Sequence, residues 1–119
     1  MDYVDVVFSH RPDYETPLEE ICKGFSDLIN MGLAHYWGTS EWRPDMIVRA
    51  IEICSKYGWN KPIVEQPQYN MMIRDRMEFE YEYLFSTYKY GTTVWSPLCQ
   101  GLLTGKYNDG NFPEGSRFS

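Results

Sequence analysis

Polar and aromatic side chains capable of chemistry stand where four short apolar runs of the sequence end. They are His10, Ser40, Gln66 and the pair Trp95–Ser96. An imidazole can transfer protons, and hydroxyl and amide groups can match the donors and acceptors of a bound ligand. Taken singly, a histidine or a tryptophan that ends an apolar run is more often structural. A shared function therefore requires a fold that brings the ends of these runs together.

The apolar runs recur at a nearly constant spacing. Their first residues lie at positions 3, 34, 63 and 92, which gives intervals of 31, 29 and 29 residues. An interval of this length holds one strand, one helix and two short loops. The runs that we predict to be strands are Tyr3–Phe8, Ala34–Trp37, Ile63–Gln66 and Thr92–Trp95.

Helical patterns fill the intervals between the runs. Thr16 and Glu19 have the spacing of a capping box around Pro17, which predicts the start of the first helix. Glycine readily takes the left-handed conformation that ends a helix, so we expect glycines at the helix ends. The predicted helices begin near Pro17, Pro44 and Asp75, and they end at Gly32, Gly58 and Gly91.

This alternation predicts an α/β fold with a parallel sheet, for which two architectures compete. A doubly wound sheet that binds a dinucleotide usually has a GxGxxG turn, and the sequence contains none. A (β/α)8 barrel places its chemistry at the carboxyl ends of its strands, where His10, Ser40 and Gln66 stand. The barrel is therefore the favoured architecture.

Composition excludes several classes of protein. The 119 residues carry 17 acidic and 11 basic side chains, a net charge of -6, which argues against a nucleic-acid binder. No apolar run approaches the roughly 20 residues that span a bilayer, and no secretory signal opens the chain. Three cysteines at wide spacing suggest free thiols and a cytoplasmic protein. No cluster of residues has the spacing of a metal site.

Four stretches of the sequence, in order and in spacing, resemble the aldo-keto reductase family. They are YVDVVFSHRPD at 3–13, YWGTSEW at 36–42, EQPQYN at 65–70 and WSPLCQGLLTGKY at 95–107. Within the family they look most like the branch of cytoplasmic β subunits of voltage-gated potassium channels. The resemblance implies part of an NADP(H)-binding TIM barrel, from the fourth strand to the loop after the seventh. Because a complete barrel takes about 250 residues, residues 1–119 are expected to be a fragment with about four βα units, the central part of the domain.

The resemblance also implies roles for individual residues. His10 matches the catalytic histidine that orients the substrate carbonyl, whereas channel β subunits commonly have asparagine there. The aspartate, tyrosine and lysine of the family's catalytic tetrad have no counterpart, so the 119 residues alone are expected to be inactive. Glu41 stands where the family has asparagine or arginine, and it is expected to lose one cofactor contact and to repel phosphate.

Most of the implied roles concern the cofactor. Ser40 and Gln66 match residues that hydrogen-bond the nicotinamide carboxamide, and Trp95 matches the aromatic residue that stacks on the nicotinamide ring. The residues that match the loop around the pyrophosphate are Ser96, Pro97, Leu98, Gly101 and Lys106. Ser116 and Arg117 resemble a later part of that loop, which closes over the cofactor.

Three functions follow as alternatives from the resemblance. The first is an NADPH-dependent oxidoreductase that reduces aldehydes or ketones. The second is a channel β subunit that uses bound NADP(H) as a redox sensor. This alternative implies that the partner is the cytoplasmic domain of a potassium channel, that the protein is a homotetramer, and that it associates with the membrane through the channel. The third is a truncated remnant with no activity.

Overall fold

Strands and helical segments alternate along the chain. In a computed structural model that describes residues 1–118, the strands are β1 (Val4–Ser9), β2 (Ala34–Thr39), β3 (Val64–Glu65) and β4 (Gly91–Thr92). Helix α1 (Leu18–Asn30) follows β1, and helix α2 (Pro44–Tyr57) follows β2. Between β3 and β4 lie two π-helical segments, Arg76–Glu80 and Leu84–Tyr88. Short 3₁₀ turns over Cys99–Thr104 follow β4.

The four strands form one parallel sheet in the order β1-β2-β3-β4. Phe8 pairs with Gly38, Gly38 with Val64, and Val64 with Gly91, so one row of the register crosses the whole sheet. A doubly wound sheet reverses its strand order at a switch point, whereas a barrel keeps consecutive strands adjacent. The consecutive order confirms the prediction of four βα-type repeats that form part of an α/β barrel.

The core lies between the sheet and the two long helices. Each of the helices α1 and α2 turns an apolar face to the sheet. The bulky side chain of Trp37 in β2 is fully buried between the sheet and these helices. Burial removes apolar surface from water and is the main force that holds these layers together. Within residues 1–118, no helix is both long enough and apolar enough to cross a membrane.

The predicted bounds of α1 are confirmed, since it begins at Leu18, next to Pro17, but the predicted capping box is wrong. Pro17 is the N-cap, and no side chain caps the helix. The Thr16 hydroxyl accepts no N–H of the first helical turn and instead donates to the carboxylate of Asp13, 2.7 Å away, within the preceding turn. Gly32 and Gly58 take left-handed conformations after α1 and α2, with φ of +74° and +69°, as the sequence predicts.

The third predicted helix is wound differently from the expectation. It consists of two π-helical segments rather than one α-helix, and Lys89, with φ of +54°, ends it instead of Gly91. Gly91 is part of β4. The wide turns accompany the complete burial of Tyr81, whose hydroxyl donates to the backbone carbonyl of Trp42 at 2.6 Å. Tyr81 therefore joins this helical region to the loop after β2.

Candidate functional site

Ser40 and Gln66 lie together at the carboxyl ends of β2 and β3. The hydroxyl of Ser40 donates to the backbone carbonyl of Gln66 at 2.8 Å, and it accepts from the Arg11 guanidinium at 2.9 Å. Ser40 is fully buried, whereas the Gln66 side chain is partly exposed and its amide lies 3.4 Å from the Thr93 hydroxyl. The predicted adjacency of these two residues is thus present. Ser40 does not cap α2, whose N-cap is Arg43.

Trp95 joins the same edge of the sheet through Glu41. The indole Nε1–H of Trp95 donates to the Glu41 carboxylate at 2.8 Å, and Arg76 donates to the other carboxylate oxygen at 2.8 Å. The backbone N–H of Gln68 also donates to this carboxylate. Glu41 therefore connects the loops after three strands. Because Arg76 pairs with it, the negative charge that was expected to repel phosphate is compensated locally.

A second carboxylate, that of Glu65, is fully buried behind this edge. It accepts hydrogen bonds from the Thr39 hydroxyl and, at 3.3 Å, from the backbone N–H of Trp42. Burial raises the pKa of Glu65 above its ordinary value, and the nearby charge of Glu41 acts in the same direction, whereas these hydrogen bonds oppose the shift. Glu65 thus stabilises the turn after β2 that contains Glu41.

The loop after β4 has a strained backbone. Ser96, Cys99 and Gln100 have positive φ angles of 54°, 48° and 56°, and Gly101 follows with φ of 96°. A non-glycine residue in this region costs of the order of 1 kcal/mol or more, and such strain concentrates at functional sites. The predicted loop residues Pro97 and Leu98 are exposed between these positions. Exposure and strain together are typical of a loop that meets a ligand.

Gly101 leaves room for the side chain of Lys106. A Cβ atom at position 101 would lie 2.5 Å from Cε and 2.9 Å from Nζ of Lys106. The ammonium group also lies over the ring of Tyr107, 4.8 Å from its centroid. Among residues 1–118, Lys106 forms no salt bridge with an acidic side chain. A cation held in this way beside an exposed loop suits a phosphate group.

Ser116 and Arg117 lie close in space to Lys106 and Tyr107. Burial disfavours ionisation of the Tyr107 hydroxyl, but the nearby side chains of Lys106 and Ser116 and the backbone of Arg117 lower its pKa below the ordinary value. Tyr107 therefore lies close to the second group of predicted cofactor residues. The first group is Ser40, Gln66, Trp95 and Ser96.

His10 follows directly after β1 and is exposed. The backbone of the preceding Ser9 accepts from the N–H of Ser40 at 3.1 Å, which places the end of β1 beside the end of β2. The predicted catalytic histidine is therefore next to the strand end that carries Ser40. Its imidazole is free of burial and accessible to a substrate.

Three residues at the site were not predicted from the sequence. Arg11 contacts the Ser40 hydroxyl, Arg76 contacts Glu41, and the Asn70 amide donates to the backbone carbonyl of Ser96 at 3.0 Å. Arg11 and Asn70 belong to the stretches that carry the resemblance, so their position next to predicted residues was an available signal. For Arg76, which is the first residue of the π-helical segment Arg76–Glu80 and lies outside the four stretches, no such signal exists.

A family model matches almost the entire chain. The model of the aldo/keto reductase family matches residues 1–117. Among solved structures, the thermostable aldo-keto reductase Tm1743, crystallised with the inhibitor epalrestat, superposes with a TM-score of 0.71 at 31% sequence identity. The superposition covers 91% of this chain and 38% of that one. The predicted fold class, part of a barrel of this type, is confirmed.

The curated relatives share about half of their aligned residues with this chain. A probable voltage-gated potassium channel subunit beta from Oryza sativa subsp. japonica is 50% identical over 119 residues, which is all of this chain and 36% of the relative. A putative voltage-gated potassium channel subunit beta from Schizosaccharomyces pombe is 52% identical over the same length, 34% of that relative. The chain thus spans about a third of the length of these relatives.

Proposed function

The chain belongs to the aldo/keto reductase family, and we propose that it forms the central part of an NADP(H)-dependent reductase domain that acts on aldehydes or ketones. One observation carries the proposal. At the carboxyl edge of the parallel sheet, Ser40 donates to the backbone of Gln66, and Trp95, three residues after β4, donates to Glu41, which follows Ser40 in the chain. This edge is where barrels of this class bind their substrates and cofactors.

The residues present fit a nicotinamide dinucleotide phosphate. Gln66 offers an amide at the sheet edge, Trp95 offers a fixed aromatic face, and Lys106 offers a cation in the space that Gly101 leaves open. When bound, the cofactor supplies the hydride for carbonyl reduction. The part of this chain is to bind and orient: Gln66 holds the carboxamide, Trp95 sets the plane of the ring, and Lys106 neutralises phosphate charge.

His10 is the residue that we assign to the substrate. Its exposed imidazole beside the strand ends can donate a hydrogen bond to a carbonyl oxygen and so fix its orientation. These 119 residues contain no counterpart of the family's tyrosine acid or of the lysine and aspartate that tune it. We therefore expect the purified chain to consume no NADPH with 4-nitrobenzaldehyde, and measurable turnover would overturn that part of the proposal.

Binding of the cofactor is tested by a titration of the ¹⁵N-labelled chain with NADP⁺, followed by two-dimensional NMR, which also detects weak complexes. We expect weak binding because two strand edges of the sheet have no partner strand within residues 1–118. The shifted resonances should be the Gln66 side-chain amide, the Trp95 indole and the backbone amides of 96–106. Shifts spread evenly over the surface would contradict the proposal.

A matched pair of lysines controls this titration. Lys106 and Lys56 each lie over the ring of the following tyrosine, at 4.8 Å in both cases, but Lys56 is in the last turn of α2. We expect Lys106→Ala to weaken NADP⁺ binding at least threefold and Lys56→Ala to leave it unchanged. Equal effects of the two variants would show that the cation acts only through net charge.

A second function is favoured by the names of the relatives, which are described as potassium channel β subunits. We propose as the alternative that the parent domain associates with the cytoplasmic part of a potassium channel and assembles as a homotetramer, with NADP(H) as a redox sensor. Co-purification of the chain with such a cytoplasmic domain supports this alternative. Turnover of a simple aldehyde by the longer protein, with no such co-purification, overturns it.

A further inference from the structure

Glu41 has an unusual backbone for its residue type. Its φ angle is +59°, in the left-handed region that glycine and asparagine occupy much more readily. Its turn is fastened from behind by the buried Glu65, which accepts from the N–H of Trp42. The carboxylate is also shielded, because only 21% of the side chain is exposed. A strained, supported and shielded glutamate is well placed to hold another group.

The three donors that reach the Glu41 carboxylate come from different parts of the chain. The indole of Trp95 and the backbone N–H of Gln68 donate to Oε1, while the guanidinium of Arg76 donates to Oε2. Charged acceptors form hydrogen bonds about twice as strong as neutral ones. Arg76 balances the charge, so the bond to the indole does not place an isolated anion at the site.

We propose that Glu41 is a positioning residue that fixes the orientation of the Trp95 ring at the sheet edge. The indole has one polar atom, Nε1, and its bond to Glu41 sets the rotation of the ring about its side-chain torsions. The consequence for the cofactor rests on the proposed function: the Trp95 ring is already oriented to receive a nicotinamide before the cofactor binds. A preorganised platform binds more tightly because less conformational freedom is lost on binding.

The first test needs no cofactor. In ¹⁵N-labelled protein, the indole resonance of Trp95, identified by its loss in Trp95→Phe, should move upfield in Glu41→Ala, and its exchange with water should quicken at least tenfold. Glu41→Gln retains an acceptor oxygen and should restore most of the shift. Glu80→Ala is the matched control because Glu80 also lies near Arg76, at 3.6 Å, without contacting Trp95.

The outcomes of this first test are decisive. An unchanged Trp95 indole in Glu41→Ala, or the same change in Glu80→Ala, overturns the proposal. The indole resonances of Trp37 and Trp59 show whether a variant is still folded. If Glu41→Ala has lost its fold, Glu41→Gln is compared with the native chain instead. Loss of the Trp95 indole shift in folded Glu41→Gln, which still has an acceptor oxygen, also overturns the proposal.

The second test measures the consequence for the cofactor by a double-mutant cycle. Glu41→Ala should weaken NADP⁺ binding at least threefold in the native background but have no further effect in Trp95→Phe, because the phenyl ring has no N–H to hold. Equal weakening in both backgrounds means that Glu41 acts without Trp95 and overturns the proposal. If the native chain binds no NADP⁺, the proposed function fails, while the indole test still decides the positioning role.

Discussion

The hydroxyl of Ser40 donates a 2.8 Å hydrogen bond to the backbone carbonyl of Gln66. The bond joins the ends of β2 and β3 at the point where the short β3 ladder stops. Both residues are assigned above to the same carboxamide. The distance between the Ser40 side chain and the Gln66 backbone is therefore set by a contact within the protein, before any ligand binds.

Replacement of Ser40 by alanine should destabilise the chain by about 1–3 kcal/mol. The substitution leaves the Gln66 carbonyl without this donor and removes the acceptor of the Arg11 guanidinium at a fully buried position. Urea unfolding followed by circular dichroism measures the change. Ser55→Ala is the control, since the Ser55 hydroxyl only donates to a carbonyl within its own helix, and it should change stability by less than about 0.5 kcal/mol.

Glu65→Gln should alter the dependence of stability on pH. The pKa of Glu65 in the folded chain is raised above its ordinary value of 4.5 by burial, so the folded state holds the proton to a higher pH than the unfolded state does. Wild-type stability should therefore fall, relative to Glu65→Gln, as the pH rises from about 4.5 through the folded-state pKa. Urea midpoints of both proteins between about pH 3 and 8 provide the measurement, because this range also covers the pH below 4.5 at which an acid with a lowered pKa titrates.

Glu78 supplies a control of opposite sign for this pH series. Hydrogen bonding from the Arg74 guanidinium lowers the pKa of Glu78 below its ordinary value. The stability that this carboxylate contributes is present above pH 4.5 and is lost as the pH falls through its folded-state pKa. Wild-type stability relative to Glu78→Gln should thus rise with pH. Slopes of the same sign for both variants would contradict the raised pKa of Glu65.

The sequence places the ends of the first three strands within two residues, but it wrongly extends the fourth strand to Trp95, whereas β4 ends at Thr92. Ser40 and Gln66 could be placed because the regular 29–31-residue spacing brings consecutive strand ends to one edge. The role of Glu41 could not be placed, because its partners Gln68, Arg76 and Trp95 lie 27, 35 and 54 residues further along the chain. A periodic pattern also could not foresee the hydrogen bond from Tyr81 to the backbone of Trp42, which lies 39 residues earlier in the chain.

Gly101→Ala should be more destabilising than Gly110→Ala, although both glycines have left-handed backbones with φ of +96° and +78°. Each substitution carries the steric cost of a left-handed alanine, about 1–2 kcal/mol. Only at position 101 does the new Cβ also meet Lys106, whereas nothing lies within 4 Å of it at position 110. The difference in urea unfolding free energy between the two variants measures the packing of Lys106. Because Lys106 is an exposed and flexible side chain, this difference should be small, and equal destabilisation would mean that Lys106 moves away from the new Cβ without cost.

Gly38→Ala should be the most destabilising of these substitutions. A Cβ atom at this buried position would lie 2.5 Å from Cγ1 and 2.5 Å from the carbonyl oxygen of Val64, and 2.9 Å from the ring of Phe8. Because one of these atoms belongs to the backbone of β3, relief requires the strands to separate, and we expect a loss of about 3 kcal/mol.

The same substitution at Gly24 should have the opposite sign. Gly24 is exposed in α1, and a Cβ atom there meets nothing within 4 Å. Alanine is favoured over glycine inside a helix by about 0.5–1 kcal/mol, so Gly24→Ala should raise the urea midpoint. A chain that tolerates Gly38→Ala as well as Gly24→Ala cannot have β2 and β3 in the close parallel register that pairs Gly38 with Val64. Since Ser40 and Gln66 each lie two residues beyond that pair, the arrangement of the candidate site would fail with it.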